Sequence, residues 1–204
     1  MLKIYGVAKS RAIRTLWMAH ELGVPFEHIE TGFGPQGCRS AAFLAVNPNG
    51  HIPAIDDDGV VLWESLAINL YLAKRHGGPL APANVAEDGL ITAWGFWSAV
   101  ELEPHCATAM YHTNMYAPAD RRPEIAADAL AKTQAPLAVL EAHLAAHGTL
   151  VGGRFTVADM NLVGVLFYLR FNPEALADKP VTRAYYEAAL ARPAARKAWA
   201  LRGE

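Results

Sequence analysis

At 204 residues, 52% of them hydrophobic, the chain has ample material for the core of one compact unit or two small domains. Lys and Arg number 18 against 20 Asp and Glu, and a formal charge of -2 gives no general attraction to nucleic acid or anionic lipid, so a small-molecule partner is expected. The separation of Cys38 and Cys106 suits neither a disulfide framework nor a metal site, and without an export signal or an uninterrupted membrane-spanning run the expected location is the reducing cytoplasm.

Residues 2–5 read as a strand, residues 10–22 as a helix with Ile13, Leu16 and Trp17 on its apolar side, and residues 26–30 as a second strand after Gly23-Val24-Pro25. The loop from Gly32 to Gly37 imitates a dinucleotide fingerprint but lacks the long helix and distant acidic residue that would complete one. A short helix from Ser40 to Val46 leads into Asn47-Pro48-Asn49-Gly50-His51-Ile52-Pro53-Ala54-Ile55. That turn and apolar strand return through Asp56-Asp57-Asp58-Gly59 to Val60-Val61-Leu62-Trp63, then enter a helix from Glu64 to His76. The order is βαβ, α, ββ, α, and the Gly-, Pro- and Ala-rich residues 78–88 read as a linker.

Helical periods dominate from Gly89 onward. Trp94, Trp97 and Glu101 share one face of a helix over residues 89–116, and Leu130, Leu137, Leu140 and Leu144 share a face of another. Pro136 should kink or split the latter. Thr156 and Asp159 have capping-box spacing, which makes Asp159 structural. The expected class is α+β: residues 1–77 form a βαβαββα domain, 78–88 a linker, and 89–204 an all-α domain.

Two features of the first domain point to chemistry. Pro53 cannot donate to a sheet ladder, so it needs an edge position or a cis peptide bond in a tight bend. Glu64 and Ser65 fall where the free N–H groups and positive dipole of a helix start await an anion. Lys9, Arg11 and Arg14 crowd the start of the first helix, where basic side chains oppose the dipole and an anionic ligand would justify them. His143 and His147 lie one turn apart but have no third ligand, so no metal is expected.

The Pro-Asn-Gly-x-Ile-Pro-Ala run, followed by Trp-Glu-Ser-Leu-Ala-Ile at the family's separation, resembles the glutathione-binding domain of the glutathione S-transferase family. The resemblance implies a thioredoxin-like first domain with a cis bond between Ile52 and Pro53. It implies that Ile52 pairs its backbone with the cysteinyl part of glutathione, and that Glu64 and Ser65 hold the γ-glutamyl end. Ser10 matches the serine that donates to the sulfur in many members, with Tyr5 the second hydroxyl candidate and Arg11 a cation that lowers the thiol pKa. His51 stands where the family contacts the glycyl carboxylate, which Arg39 and Gln36 could also reach. His105, Cys106, Met110 and Tyr111 become candidates for the wall of a second-substrate pocket, and Phe155-Thr156-Val157-Ala158-Asp159 matches a folding motif.

The implied activity is conjugation of glutathione, as co-substrate and without a metal, to a small apolar electrophile by a cytoplasmic homodimer. An unperturbed thiol near pKa 8.5 must fall by roughly two units to be mostly ionised at neutral pH, a stabilisation of about 2.7 kcal/mol. Near the helix only Ser10 offers a hydroxyl where serine-type members usually offer more than one hydroxyl or cysteine. This leaves two alternatives: a non-enzymatic glutathione- or protein-binding adaptor, or a glutathione-dependent disulfide reductase. Lacking a Cys-x-x-Cys, such a reductase would rely on glutathione's own thiol.

Overall fold

The computed structural model describes residues 1–203. In chain order the elements are β1 (Leu2–Tyr5), α1 (Ala12–Leu22), β2 (Phe26–Ile29), α2 (Ala41–Leu44), β3 (Ala54–Asp57), β4 (Val60–Trp63), α3 (Ser65–His76), α4 (Val85–Trp97), α5 (Glu103–Met110), α6 (Pro123–His147), α7 (Val157–Leu166), α8 (Pro180–Leu190) and α9 (Pro193–Ala200). They form two compact units: Met1–Ala81 with the segment from Ala191 onward, and Pro82–Leu190.

The first unit has a four-stranded mixed sheet of order β2-β1-β3-β4, in which β1 runs parallel to β2 and antiparallel to β3, and β3 runs antiparallel to β4. This is the thioredoxin-like arrangement expected from the order of elements. Leu2 and Ile4 alternate with half-buried Lys3 and Tyr5, the period-2 pattern of a strand covered on one face. Residues Ala12 to Ala19 of α1 are all buried, because β1, α3 and α9 pack around the helix. Gly23, in the left-handed region at φ 65°, ends α1.

The C-terminal segment belongs to this unit and not to the helical domain in which the sequence pattern places it. Trp199 of α9 meets Trp17 of α1 edge to face, with ring centroids 5.3 Å apart. Arg192 forks onto Glu21, with Nε and Nη2 2.7 and 2.8 Å from its two carboxylate oxygens, and Trp17 Nε1 donates to the same carboxylate at 2.9 Å. Local periodicity carries no sign of such distant partners. The linker is also shorter than expected. The Asn84 side chain accepts from the Glu87 N–H at 3.0 Å, and Glu87 Oε2 accepts from the Ala83 N–H at 2.8 Å, so residues from Val85 already form the first turn of α4.

The second unit is helical. The expected helix over 89–116 is divided by a π-helical turn at Ser98–Leu102 and closes in another at Tyr111–Met115. Pro104, near the start of α5, lacks the N–H that would continue an α-helical ladder through the first turn. Pro136 does not split its helix: α6 is one element of 25 residues. The penalty of about 3 kcal/mol for an interior proline is outweighed by the burial of Leu137, Leu140 and Leu144, each contributing roughly 1.5–3 kcal/mol. Leu130, placed on the same face by spacing, is half-buried.

Asp159 is fully buried. Its Oδ2 accepts from the Thr156 N–H at 2.7 Å and hydroxyl at 2.8 Å, and its Oδ1 accepts from the Leu150 N–H at 2.9 Å and Tyr185 hydroxyl at 2.8 Å. The capping role is thus structural, and burial with this carboxylate beside it pushes the Tyr185 hydroxyl pKa well above its ordinary value.

Arg154 joins the start of α4 to this region through a forked contact with Glu87 at 3.0 and 2.6 Å. Hydrogen bonds from Arg154 and then from the Ala83 N–H hold the Glu87 pKa down to about 2, from an ordinary 4.5. A carboxylate lowered on folding stabilises fully above its unfolded pKa and loses that contribution as pH falls through the folded one. Melting temperatures of wild type and Glu87→Gln should therefore differ at neutral pH and converge between pH 4.5 and about 2. A difference independent of pH would exclude the ion pair as its source.

Candidate functional site

The site is built where β1 turns into α1. Ser10 Oγ donates to the Val7 carbonyl at 2.7 Å and accepts from the Ala12 N–H at 3.1 Å, so the hydroxyl caps the first turn ahead of α1. It is half-buried, whereas Lys9 and Arg11 on either side are exposed. No acidic side chain occupies the first turn of α1, whose positive dipole end favours an anion, whereas α3 carries Glu64 as its N-cap residue. Tyr5, the other hydroxyl candidate, has its ring edge to face with Phe43 at 6.1 Å and packs against the cluster of Cys38, Phe43, Ile52 and Ala54.

Gly6 brings the parts together. At φ 139° it adopts a conformation that a side chain rarely tolerates, and a Cβ there would lie 2.7 Å from Ala12 Cβ and 3.3 Å from Ile52 Cβ. The end of β1, the start of α1 and the bend before β3 therefore approach within van der Waals distance. The Ile52–Pro53 peptide bond is cis, and β3 is an inner strand of the sheet, so the bend and not an edge accommodates the proline. Buried Asn47 secures this bend: its Nδ2 donates to the His51 carbonyl at 2.7 Å and its Oδ1 accepts from the Asn49 N–H at 3.1 Å. His51 and Gln36 are exposed. Arg39 donates to the Asn49 carbonyl at 3.1 Å and lies against Gly50, which makes it a brace of this turn.

Glu64 and Ser65 open α3 as the pattern predicts. Glu64 sits at φ 69° and ψ 107°, a region that costs a non-glycine residue of order 1–3 kcal/mol and is commonest at functional sites. Ser65 is buried, and buried Arg14 reaches it from α1, with Nη1 donating to Ser65 Oγ at 3.3 Å. That contact uses a lone pair of the oxygen and leaves the hydroxyl proton for another acceptor. Asn69, one turn further along α3, donates to the Arg14 carbonyl at 3.4 Å, so the two helix starts are held together at two points. Ser10, Arg11, Ile52, Pro53, Glu64 and Ser65 thus lie on segments joined through Gly6 and Arg14. The roles of Gly6, Asn47 and Asn69 escape the sequence reading; a glycine ending a strand was the one available signal.

In the helical unit, Cys106 and Met110 of α5 are buried, and Arg170 Nη1 approaches the Met110 sulfur at 3.8 Å. His105 is half-buried. Tyr111 is exposed and stacks on Tyr116 with centroids 5.3 Å apart. His143 and His147 stack on each other, and the Nε2 of His143 lies 3.1 Å from the Leu150 carbonyl, a partner that requires its proton. No helix among the described residues is long and apolar enough to cross a membrane.

Residues 1–74 match the family model described as glutathione S-transferase, N-terminal domain, and residues 105–193 match the C-terminal domain model. Glutathione S-transferase 3 of Zea mays is 34% identical, with 96% of this chain and 92% of that protein covered. The crystal structure of glutathione transferase F7 from Populus trichocarpa superposes with a TM-score of 0.88 at 27% identity, covering 98% of this chain and 99% of that one. The theta class glutathione S-transferase from Xanthomonas axonopodis pv. citri, solved with glutathione bound, gives a TM-score of 0.85 at 31% identity over 97% of this chain and 96% of its own. With both family models matched in chain order and a 34% identical relative covered over nearly its whole length, the chain belongs to the glutathione S-transferase family.

Proposed function

We propose that the protein conjugates the thiolate of glutathione to small apolar electrophiles, as a cytoplasmic homodimer. The observation that carries the reading is the junction of two helix starts, α1 and α3, through the Arg14–Ser65 contact, beside a serine hydroxyl and a cis-proline bend. Two helix N-termini and a buried guanidinium favour an anion, and glutathione brings two carboxylates and a thiolate.

In this reading the Ile52 backbone meets the cysteinyl part of glutathione, Glu64 and Ser65 hold the γ-glutamyl end, and His51 meets the glycyl carboxylate. The Ser10 hydroxyl turns from the Val7 carbonyl to the sulfur while its oxygen keeps the Ala12 N–H. Arg11 adds positive charge, and together these stabilise the thiolate that attacks the electrophile. His105, Cys106, Met110 and Tyr111 are proposed for the wall of the electrophile pocket. Cys38 and Cys106 are both buried and form no disulfide, which supports glutathione's own sulfur as the nucleophile.

A conjugation assay with a generic aromatic electrophile, run beside a glutathione-dependent disulfide-exchange assay, tests the reading. Conjugation above the uncatalysed rate is expected; exchange without conjugation would favour the reductase, and neither activity the adaptor. Ser65→Ala should weaken glutathione about tenfold in calorimetric titration, at the lower end of the 1.5–3 kcal/mol typical of a hydrogen bond to a charged group. An unchanged affinity would remove Ser65 from the site.

A further inference from the structure

Three consecutive carbonyls precede Ser10, and each already has a donor. His28 Nε2 lies 2.7 Å from the Gly6 carbonyl, a contact in which the imidazole must donate. The Val7 carbonyl accepts from both the N–H and the hydroxyl of Ser10, at 3.0 and 2.7 Å. The Ala8 carbonyl accepts from Arg202 Nη1 at 2.9 Å. Carbonyl oxygens turned toward a thiolate would repel it and raise its pKa; the Gly6 and Ala8 carbonyls are held by donors from outside the loop, and the Val7 carbonyl by Ser10 itself, whose hydroxyl must turn from it to meet an anion.

Arg202 lies near the other end of the chain and is itself buried. A guanidinium is costly to bury without acceptors, and the Ala8 carbonyl is one of those it meets. Its own position is set by the tight turn that follows α9, where the Leu201, Arg202 and Gly203 N–H groups return to the Ala198, Trp199 and Ala200 carbonyls. The helix is in turn anchored on α1 by Trp199 against Trp17 and by Arg192 on Glu21.

We infer that Arg202 is a positioning residue for thiol activation: from the C-terminal turn it holds the Ala8 carbonyl so that Ser10 is presented to the glutathione sulfur. The inference rests on the transferase reading above. Neither Met nor Gln at position 202 can reach Ala8 with a guanidinium, while Lys keeps a cationic donor. Arg202→Met and Arg202→Gln should each lower kcat about tenfold at neutral pH, raise the pKa of the bound thiol by about one unit and leave KM for glutathione within about twofold. Arg202→Lys should recover part of both losses.

Arg192→Met removes one anchor of the same helix and keeps Trp199 on Trp17 and Arg202 on Ala8, so it should lower the melting temperature while shifting the thiol pKa much less than the Arg202 variants do. The pH-rate profile and the melting temperature, measured on all four variants, separate positioning from general stability. A folded Arg202→Met or Arg202→Gln protein with the wild-type profile would overturn the inference, and so would a pKa shift in Arg192→Met equal to theirs. If neither Arg202→Met nor Arg202→Gln folds, Arg202→Lys decides: an intermediate profile is expected, and a wild-type one overturns the inference. Absence of conjugation by the wild-type protein would instead overturn the transferase reading.

Discussion

Replacing Ser10 by alanine is expected to lower turnover at neutral pH by about ten- to 100-fold and to raise the pKa of bound glutathione by about one to two units. A hydrogen bond to a charged acceptor contributes roughly 1.5–3 kcal/mol, and each 1.36 kcal/mol corresponds to one pKa unit. Affinity for glutathione should change little, because the contacts to its backbone and carboxylates remain. The same hydroxyl accepts from the Ala12 N–H, so a loss of about 1 kcal/mol of stability should accompany the kinetic effect. Rate against pH and melting temperature, measured on the one mutant, divide the roles. A lowered melting point with an unshifted profile would mean that Ser10 is a cap alone.

Asp159→Ala is expected to cause the largest loss of stability, about 3–5 kcal/mol. The carboxylate is fully buried and accepts from Leu150, from Thr156 twice and from Tyr185, so its removal leaves the amides and hydroxyls of three residues without this acceptor. Because every partner belongs to the helical unit, the thiol pKa in any protein that still folds should stay unchanged. Denaturant unfolding compared with Asp159→Asn, which keeps an acceptor oxygen, checks the source of the loss. A shift of the midpoint corresponding to less than about 1 kcal/mol would show that water or another acceptor replaces the carboxylate.

The hairpin was legible because its signals are local: a Pro-Asn-Gly turn, a proline at the start of an apolar strand, and Glu-Ser ahead of a helical run; these left Pro53 an edge position or a cis bond, and the family resemblance pointed to the cis bond. The same is true of the Thr156–Asp159 cap. What was hidden depends on residues distant in sequence. No pattern near Arg14 announces Ser65, and nothing around Arg202 announces Ala8. The return of α9 to the sheet-bearing unit rests on pairings such as Trp17 with Trp199 that periodicity cannot supply. Pro136 shows the opposite case: of the two expected outcomes the split does not occur, because the burial of three leucines in the same helix outweighs the local penalty. The chemistry of Ser10 stands between these cases, because one hydroxyl serves both a cap and a proposed thiolate contact.

The most direct measurement is the titration of glutathione bound to the wild-type protein, without electrophile, followed by the ultraviolet absorbance of the thiolate. Ionisation is expected with an apparent pKa about two units below the free-thiol value near 8.5. Ionisation at the free value, with glutathione demonstrably bound, would contradict thiol activation at this site.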